Sequence, residues 1–219
     1  MSADKRALEA FPWVPVFPLP NMVLFPHAIL PLHIFEPRYR AMVNDCFPKP
    51  AKIVLARLLE PESSDEGAAL PDISPIATVA EVLECEEFSD GRKNIVVRGE
   101  ARVRLEELPL TAPYRRARLK VLADVGRMSE SMRSALVTSA AAFAKAIQRV
   151  EPRFMLRLPS DLAGDALVDI CAYQLIVDPD VRQELLEETH VHARAERVIA
   201  EMARQQAALQ DQRAGRTLH

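Results

Sequence analysis

The sequence predicts an α+β protein, with a β-rich half over residues 1–125 followed by a helical bundle over residues 126–219. Three observations carry that prediction. Up to about Asp124, apolar and polar residues alternate in short runs, the two-residue period of half-buried strands. From Ser129 onward apolar residues recur every three or four positions, the period of an amphipathic helix. Between Val14 and Val43, six prolines (Pro15, Pro18, Pro20, Pro26, Pro31 and Pro37) punctuate an apolar stretch, which excludes one long element there.

The elements follow in order. Val14–Leu19 reads as a short edge-type strand, because its prolines forfeit ladder hydrogen bonds. Ala28–Phe35 alternates as a half-buried strand, with His33 in its polar phase. Pro37, with Glu36 beside it, opens a short helix through about Asp45. Lys52–Leu59 is a third strand, and the acidic, breaker-rich Pro61–Ser74 is expected as a loop.

Ile76–Glu86 is β-branched and strand-like, and Ser89–Lys93 is expected as a hairpin turn centred on Asp90-Gly91. After Gly99 the alternation places Ala101, Val103 and Leu105 inward and Arg102, Arg104 and Glu106 outward. Gly99 inside a strand points to a bulge or bend, a device that curls a sheet towards a barrel. Tyr114–Asp124 alternates again. Ser129 is the expected cap of a helix over Glu130–Arg149, and another helix begins near Ser160 or Asp161. Asp178 and Pro179 open the next, and Thr189 is expected to cap the last. The polar, glutamine- and alanine-rich end beyond Met202 is expected to fray.

Of the 219 residues, 49% are hydrophobic and 27% charged, enough for a real core. A net charge of -3 and 5% aromatics lean away from nucleic acid. Cys46, Cys85 and Cys171 lack paired spacing and are read as reduced thiols. With no apolar leader and no spanning run, the expectation is a cytoplasmic protein.

Several stretches together resemble the N-terminal, substrate-binding domain of Lon proteases. They are "VPVFPLPNMVLFP", "LPLHIFEPRYRAMV", "DGRKNIVVRGEARVRLEEL", "PYRRARL" and "RQELLEETHVHARAERV", in order over roughly Val14 to Met202. The resemblance implies a small PUA-like β-barrel before the helices. It also implies a non-catalytic module that binds unfolded or damaged proteins, or a Lon-type protease partner. Two positions depart from the pattern: His27 and Ala77 stand where relatives often have glycine. The six glycines, at 67, 91, 99, 126, 164 and 215, never form a phosphate-binding loop, so a stand-alone domain without ATPase or peptidase is expected. No cofactor is expected.

The loop residues Met22, Leu24, Phe25 and Pro26 carry more apolar surface than a solvated loop requires, so they either fold back over the barrel end as core or form a shallow apolar peptide site. Glu36, Arg38, Tyr39, Gly91 and Gly99 are expected to serve structure. His190 and His192 stand two apart, the wrong spacing for a shared helical face, and no metal is expected. The serines from Ser129 to Ser139 form a cap and a polar face rather than a nucleophile elbow. Arg98, Arg102, Arg104, Arg115, Arg116, Arg118 and Lys120 could build a positive strand face, with RNA binding its functional counterpart. Binding of unfolded polypeptide is the main expectation. An RNA-binding PUA-like protein and an adaptor or inhibitor of a full-length Lon are the alternatives.

Overall fold

A computed structural model describes residues 3–46, 51–59, 71–158, 162 and 164–216. They form an α+β chain of two compact units, Met1–Ala123 and Asp124–His219.

The first unit holds helix α1 (Ala3–Glu9), strands β1 (Val14–Pro20) and β2 (Ile29–Ile34), helix α2 (Pro37–Asp45), and strands β3 (Lys52–Leu58), β4 (Ile76–Glu87), β5 (Lys93–Glu107) and β6 (Arg115–Val121). The sheet order is β2-β5-β4-β3-β1-β6, and β6 also pairs with β5. Pairings therefore run in a closed circuit from β5 round to β6, with β2 attached outside it. Among the described strands, β1 and β3 alone pair in parallel. Val16, Val54, Val79, Val103 and Ala117 share the core cluster of this unit.

The bend expected at Gly99 is a bulge. Val79 faces Ala101 and Ala80 faces Gly99, so Glu100 is the extra residue on β5. A Cβ at Gly99 would lie 2.2 Å from the Phe25 carbonyl oxygen, so the close approach of that loop needs glycine. The hairpin turn sits one residue earlier than expected. Gly91 N donates to the Phe88 carbonyl at 2.9 Å, centring the turn on Ser89-Asp90 and leaving Gly91 in the left-handed region at φ 79°.

The expected outward position of Arg102 is corrected: it is only 2% exposed. Alternation alone assumes that one side of a strand meets water, and at this point of β5 both sides are covered. Helix α1 was not foreseen; it brings Leu8 into the core, and Glu9 Oε1 accepts from Val121 N at 2.8 Å. Residues 61–70 of the acidic stretch lie outside the described residues. Asp72 and Ser74 tie the remainder of that stretch to the end of β3, Leu59 N donating to the Asp72 carbonyl at 2.9 Å and Ser74 N to the Arg57 carbonyl at 2.8 Å.

The second unit holds α3 (Glu130–Gln148), α4 (Gly164–Leu175), α5 (Pro179–Glu187) and α6 (Val191–Arg216). Ser129 caps α3 through its hydroxyl, which accepts from Met132 N at 3.2 Å, and Asp178 caps α5 by accepting from Asp180 N at 2.9 Å. The helix start expected at Ser160 or Asp161 falls outside the described residues. Thr189 does not cap α6: the residue before the helix is His190, whose neighbour Glu188 accepts from His190 N at 2.7 Å.

The helix continues beyond Met202 to Arg216 instead of fraying. Gln205 anchors that stretch, accepting from Val177 N at 3.2 Å and donating to the Leu175 carbonyl just where α4 ends. Arg194, fully buried, lies 3.1 Å from Asp169 Oδ1 through Nε and 3.1 Å from Asp124 Oδ1 through Nη1. An ion cluster inside an apolar helix interface leaves no period in a sequence, and it was not anticipated.

Candidate functional site

The corner between β2 and α2 is built from residues 35–39. Glu36 has extended backbone before the helix, and Pro37 fixes the first helical φ. Arg38 Nε donates to Glu36 Oε2 at 2.9 Å, and its guanidinium sits 4.5 Å from the centroid of the Tyr39 ring. That ring is tilted against Phe17 at 4.4 Å, tying α2 to β1. Burial pushes the Tyr39 hydroxyl above the ordinary phenol range, against the pull of Arg38. Gly91 touches the same helix: a Cβ there would meet the Arg40 guanidinium at 2.6 Å.

The reading of Met22–Pro26 as an exposed apolar site needs correction. Leu24 and Phe25 are 1% and 0% exposed, Pro26 is buried, and Met22 alone keeps part of its surface. A loop can be buried when its backbone polar groups find partners. Here the Thr78 hydroxyl donates to the Leu24 carbonyl at 2.6 Å, and His27 N donates to the Gly99 carbonyl at 2.8 Å. His27 adopts φ 67°, the left-handed conformation that favours glycine. Ala77, the other departure, sits within regular pairing opposite Val103.

Exposed apolar surface appears one element later. β2 alternates in burial, with Leu30 and Ile34 inside, while Ile29, Pro31, His33 and, just beyond the strand, Phe35 are exposed. Ile29 keeps 55% of its surface and Phe35 60%, with Phe88 of the β4–β5 turn beside them at 36%. His33 stacks 6.1 Å from Phe35 and meets Phe88 edge-on at 6.3 Å. Asn94 Oδ1, 2.8 Å from His33 Nδ1, fixes the imidazole in that array. Arg92 extends it, its guanidinium 6.0 Å from the Phe88 ring.

A broad hollow of about 680 Å³ runs across the same three strands, lined by Pro31, His33, Cys85, Asn94 and Val96 among others. Among the described residues β2 pairs with β5 alone, so it ends the sheet and presents unpaired backbone groups. Both phases of β2 are apolar, the signal that could have marked this face in the sequence.

The basic residues divide between engaged or buried positions and exposed ones, with Arg104 opposite Lys120 across β5 and β6. Arg98 pairs with Glu81 at 2.9 Å, Arg115 with Glu107 at 2.8 Å, and Arg102 is buried. Arg116 lies 4.9 Å from the Trp13 ring centroid, while Arg104, Arg118 and Lys120 are exposed. Glu100 pairs with Lys52 at 2.7 Å. His190 and His192 face separate carboxylates, Glu188 at 3.2 Å and Glu196 at 3.5 Å. Among the described residues no cluster of His, Cys, Asp and Glu could hold a metal ion, and no helix is long and apolar enough to cross a membrane. The cysteines are unpaired; burial pushes the Cys46 and Cys171 thiols up to about 12, and Cys85 is exposed.

The chain spans under a quarter of the curated relatives it matches most strongly along its length. It is 26% identical over 190 residues to a Lon protease of Anaeromyxobacter dehalogenans, covering 85% of this chain and 22% of that protein. It is 27% identical over 198 residues to Lon protease 2 of Syntrophobacter fumaroxidans, covering 87% and 24%. Among solved structures it resembles the N-terminal domain of a Mycobacterium avium complex Lon protease, with TM-score 0.63, 18% identity, and 87% and 98% of the two chains covered. A Lon N-terminal domain protein from Xanthomonas campestris matches with TM-score 0.62, 19% identity, and 86% and 97% covered. These structures share the fold. The family model for the ATP-dependent protease La (LON) substrate-binding domain matches residues 13–204, and the chain belongs to that family.

Proposed function

We propose that this chain is a non-catalytic module that binds extended segments of unfolded or damaged protein on the exposed side of β2. The observation that carries the reading is the continuous apolar row of Ile29, Pro31, His33, Phe35 and Phe88 beside an unpaired sheet edge. An edge strand offers backbone hydrogen bonds to any extended sequence, and apolar neighbours add affinity without demanding particular side chains. Membership of a substrate-binding family supports the same reading. We further read the closed circuit of pairings as the PUA-like barrel and α3–α6 as its helical bundle, acting in the cytoplasm on its own clients or beside a Lon-type protease.

The double substitution Phe35→Ser and Phe88→Ser tests it. Both side chains are already exposed, so melting should hardly move, while binding to a reduced, carboxymethylated protein should weaken about tenfold or more. Binding in the unsubstituted protein should persist as salt rises, since it releases few counterions. Undiminished binding in the folded variant would remove β2 from the reading, and steep loss of binding with salt would favour nucleic acid as ligand.

A further inference from the structure

Arg38 and Tyr39 at the start of α2 also line a small cleft of about 80 Å³. Pro18, Leu58, Leu110 and Pro113 give it apolar walls, and Tyr39 and Tyr114 line it as well. Such a volume exceeds the space one water needs several-fold, and suits one side chain rather than a folded surface. Its two tyrosines differ. Tyr114 donates its hydroxyl to Asp45 Oδ2 at 2.6 Å. Tyr39, only 6% exposed, has ring contacts with Phe17 and Arg38, and among the described residues no hydrogen bond engages its hydroxyl. The hydroxyl keeps some accessible surface where Tyr39 lines the cleft, so it is free to donate there.

Charge narrows the occupant. Arg38 and Arg115 stand at the rim, but each is engaged, Arg38 by Glu36 at 2.8 Å and Arg115 by Glu107 at 2.8 Å. Two neutral pairs flank an apolar hollow that holds one free hydroxyl donor. We infer that this cleft takes a single uncharged apolar side chain of a bound polypeptide, while the Tyr39 hydroxyl donates to a carbonyl of the same segment.

The inference rests on the proposed polypeptide binding and gives it a second anchor. Tyr39 lies four positions after Phe35, so their Cα atoms stand at most about 14 Å apart, a distance that about four or five extended residues span. One extended peptide can therefore lay one apolar residue on the aromatic row and place another in the cleft.

Two amidated peptides of about twelve residues, built from Gly, Ser and Ala, test this by fluorescence anisotropy. One carries a single Phe, the other a Phe and a Leu four positions apart. The two-anchor peptide should bind the unsubstituted protein about tenfold tighter. Tyr39→Phe, which removes only the hydroxyl, and Leu110→Ser, at a site 57% exposed, should each erase most of that gain with melting unchanged. A gain that survives in both variants overturns the inference. So does a two-anchor peptide no tighter than the single-Phe peptide, and the aromatic row then stands alone. If neither peptide binds the unsubstituted protein, the proposed polypeptide reading falls and takes this one with it. A free-acid peptide binding tenfold tighter than its amide would make the ligand a carboxylate, and would equally overturn the neutral side chain.

Discussion

In the first unit, charged side chains meet in exposed pairs such as Arg98 with Glu81 and Arg38 with Glu36. In the second, Arg194 has no exposed surface and holds Asp169, 1% exposed, inside the helical core, with the half-buried Asp124 at its edge. Exposed pairs gain little, because water already solvates each partner and the long side chains lose freedom when they meet. A buried arginine has surrendered its hydration, so removing it strands the carboxylates it held. The first unit can therefore lose surface charges cheaply, whereas the second cannot lose the buried guanidinium of Arg194. The contrast also singles out β2, whose exposed positions carry no charge at all from Ile29 to Phe35.

The largest expected effect is in the second unit. Arg194→Ala should cost about 3–5 kcal/mol in denaturant unfolding, whereas the triple change of Arg194, Asp169 and Asp124 to apolar residues of similar size should recover much of it. A loss below about 1 kcal/mol for Arg194→Ala would erase the contrast between the units. Arg102→Asp tests whether the first unit has an interior charge of its own. Reversing a side chain that is 2% exposed should also cost several kcal/mol, about as much as Val103→Asp in the same strand. A melting temperature within a degree or two of the parent would return Arg102 to the surface.

Smaller effects sharpen the account of the loop beneath β2. Gly99→Ala drives a methyl group into the Phe25 carbonyl and should cost about 1–3 kcal/mol, with the loss visible in the thermal midpoint. His27→Gly should act in the opposite sense. At φ 67° a residue with a Cβ is strained, so glycine should raise stability by up to about 1 kcal/mol; an equal or lower midpoint would show that the imidazole contributes something else. Smallest of all, Arg98→Ala should shift stability by less than about 1 kcal/mol, and a larger loss would mean that strand-face pairs matter more than their exposure implies.

Much of this chain was legible because its signals are local. A serine, an aspartate or a proline acts on the backbone within a few residues, so Ser129, Asp178 and Pro37 marked three helix starts from sequence alone. The bulge at Gly99 was legible for the same reason. Thr189 was misread because it and His190 are both plausible starts, and the choice fell to a bridge between His190 and Val125 distant in sequence. Whether Met22–Pro26 is core or surface stays open in the sequence, because it does not show that Thr78 and Gly99 come to meet its carbonyls.

By itself, then, the sequence determined the order of the strands and of the helices after α1, their periods and the starts at Pro37, Ser129 and Asp178, since each depends on neighbours within one or two turns. The tertiary structure decided which side of each element is covered. Arg102 is inside because β5 is covered on both sides there, and Phe35 outside because β2 ends the sheet. Gln205 holds α6 in helix because the end of α4 lies within its reach. Burial is a property of what packs across an element, and residues dozens of positions away set it.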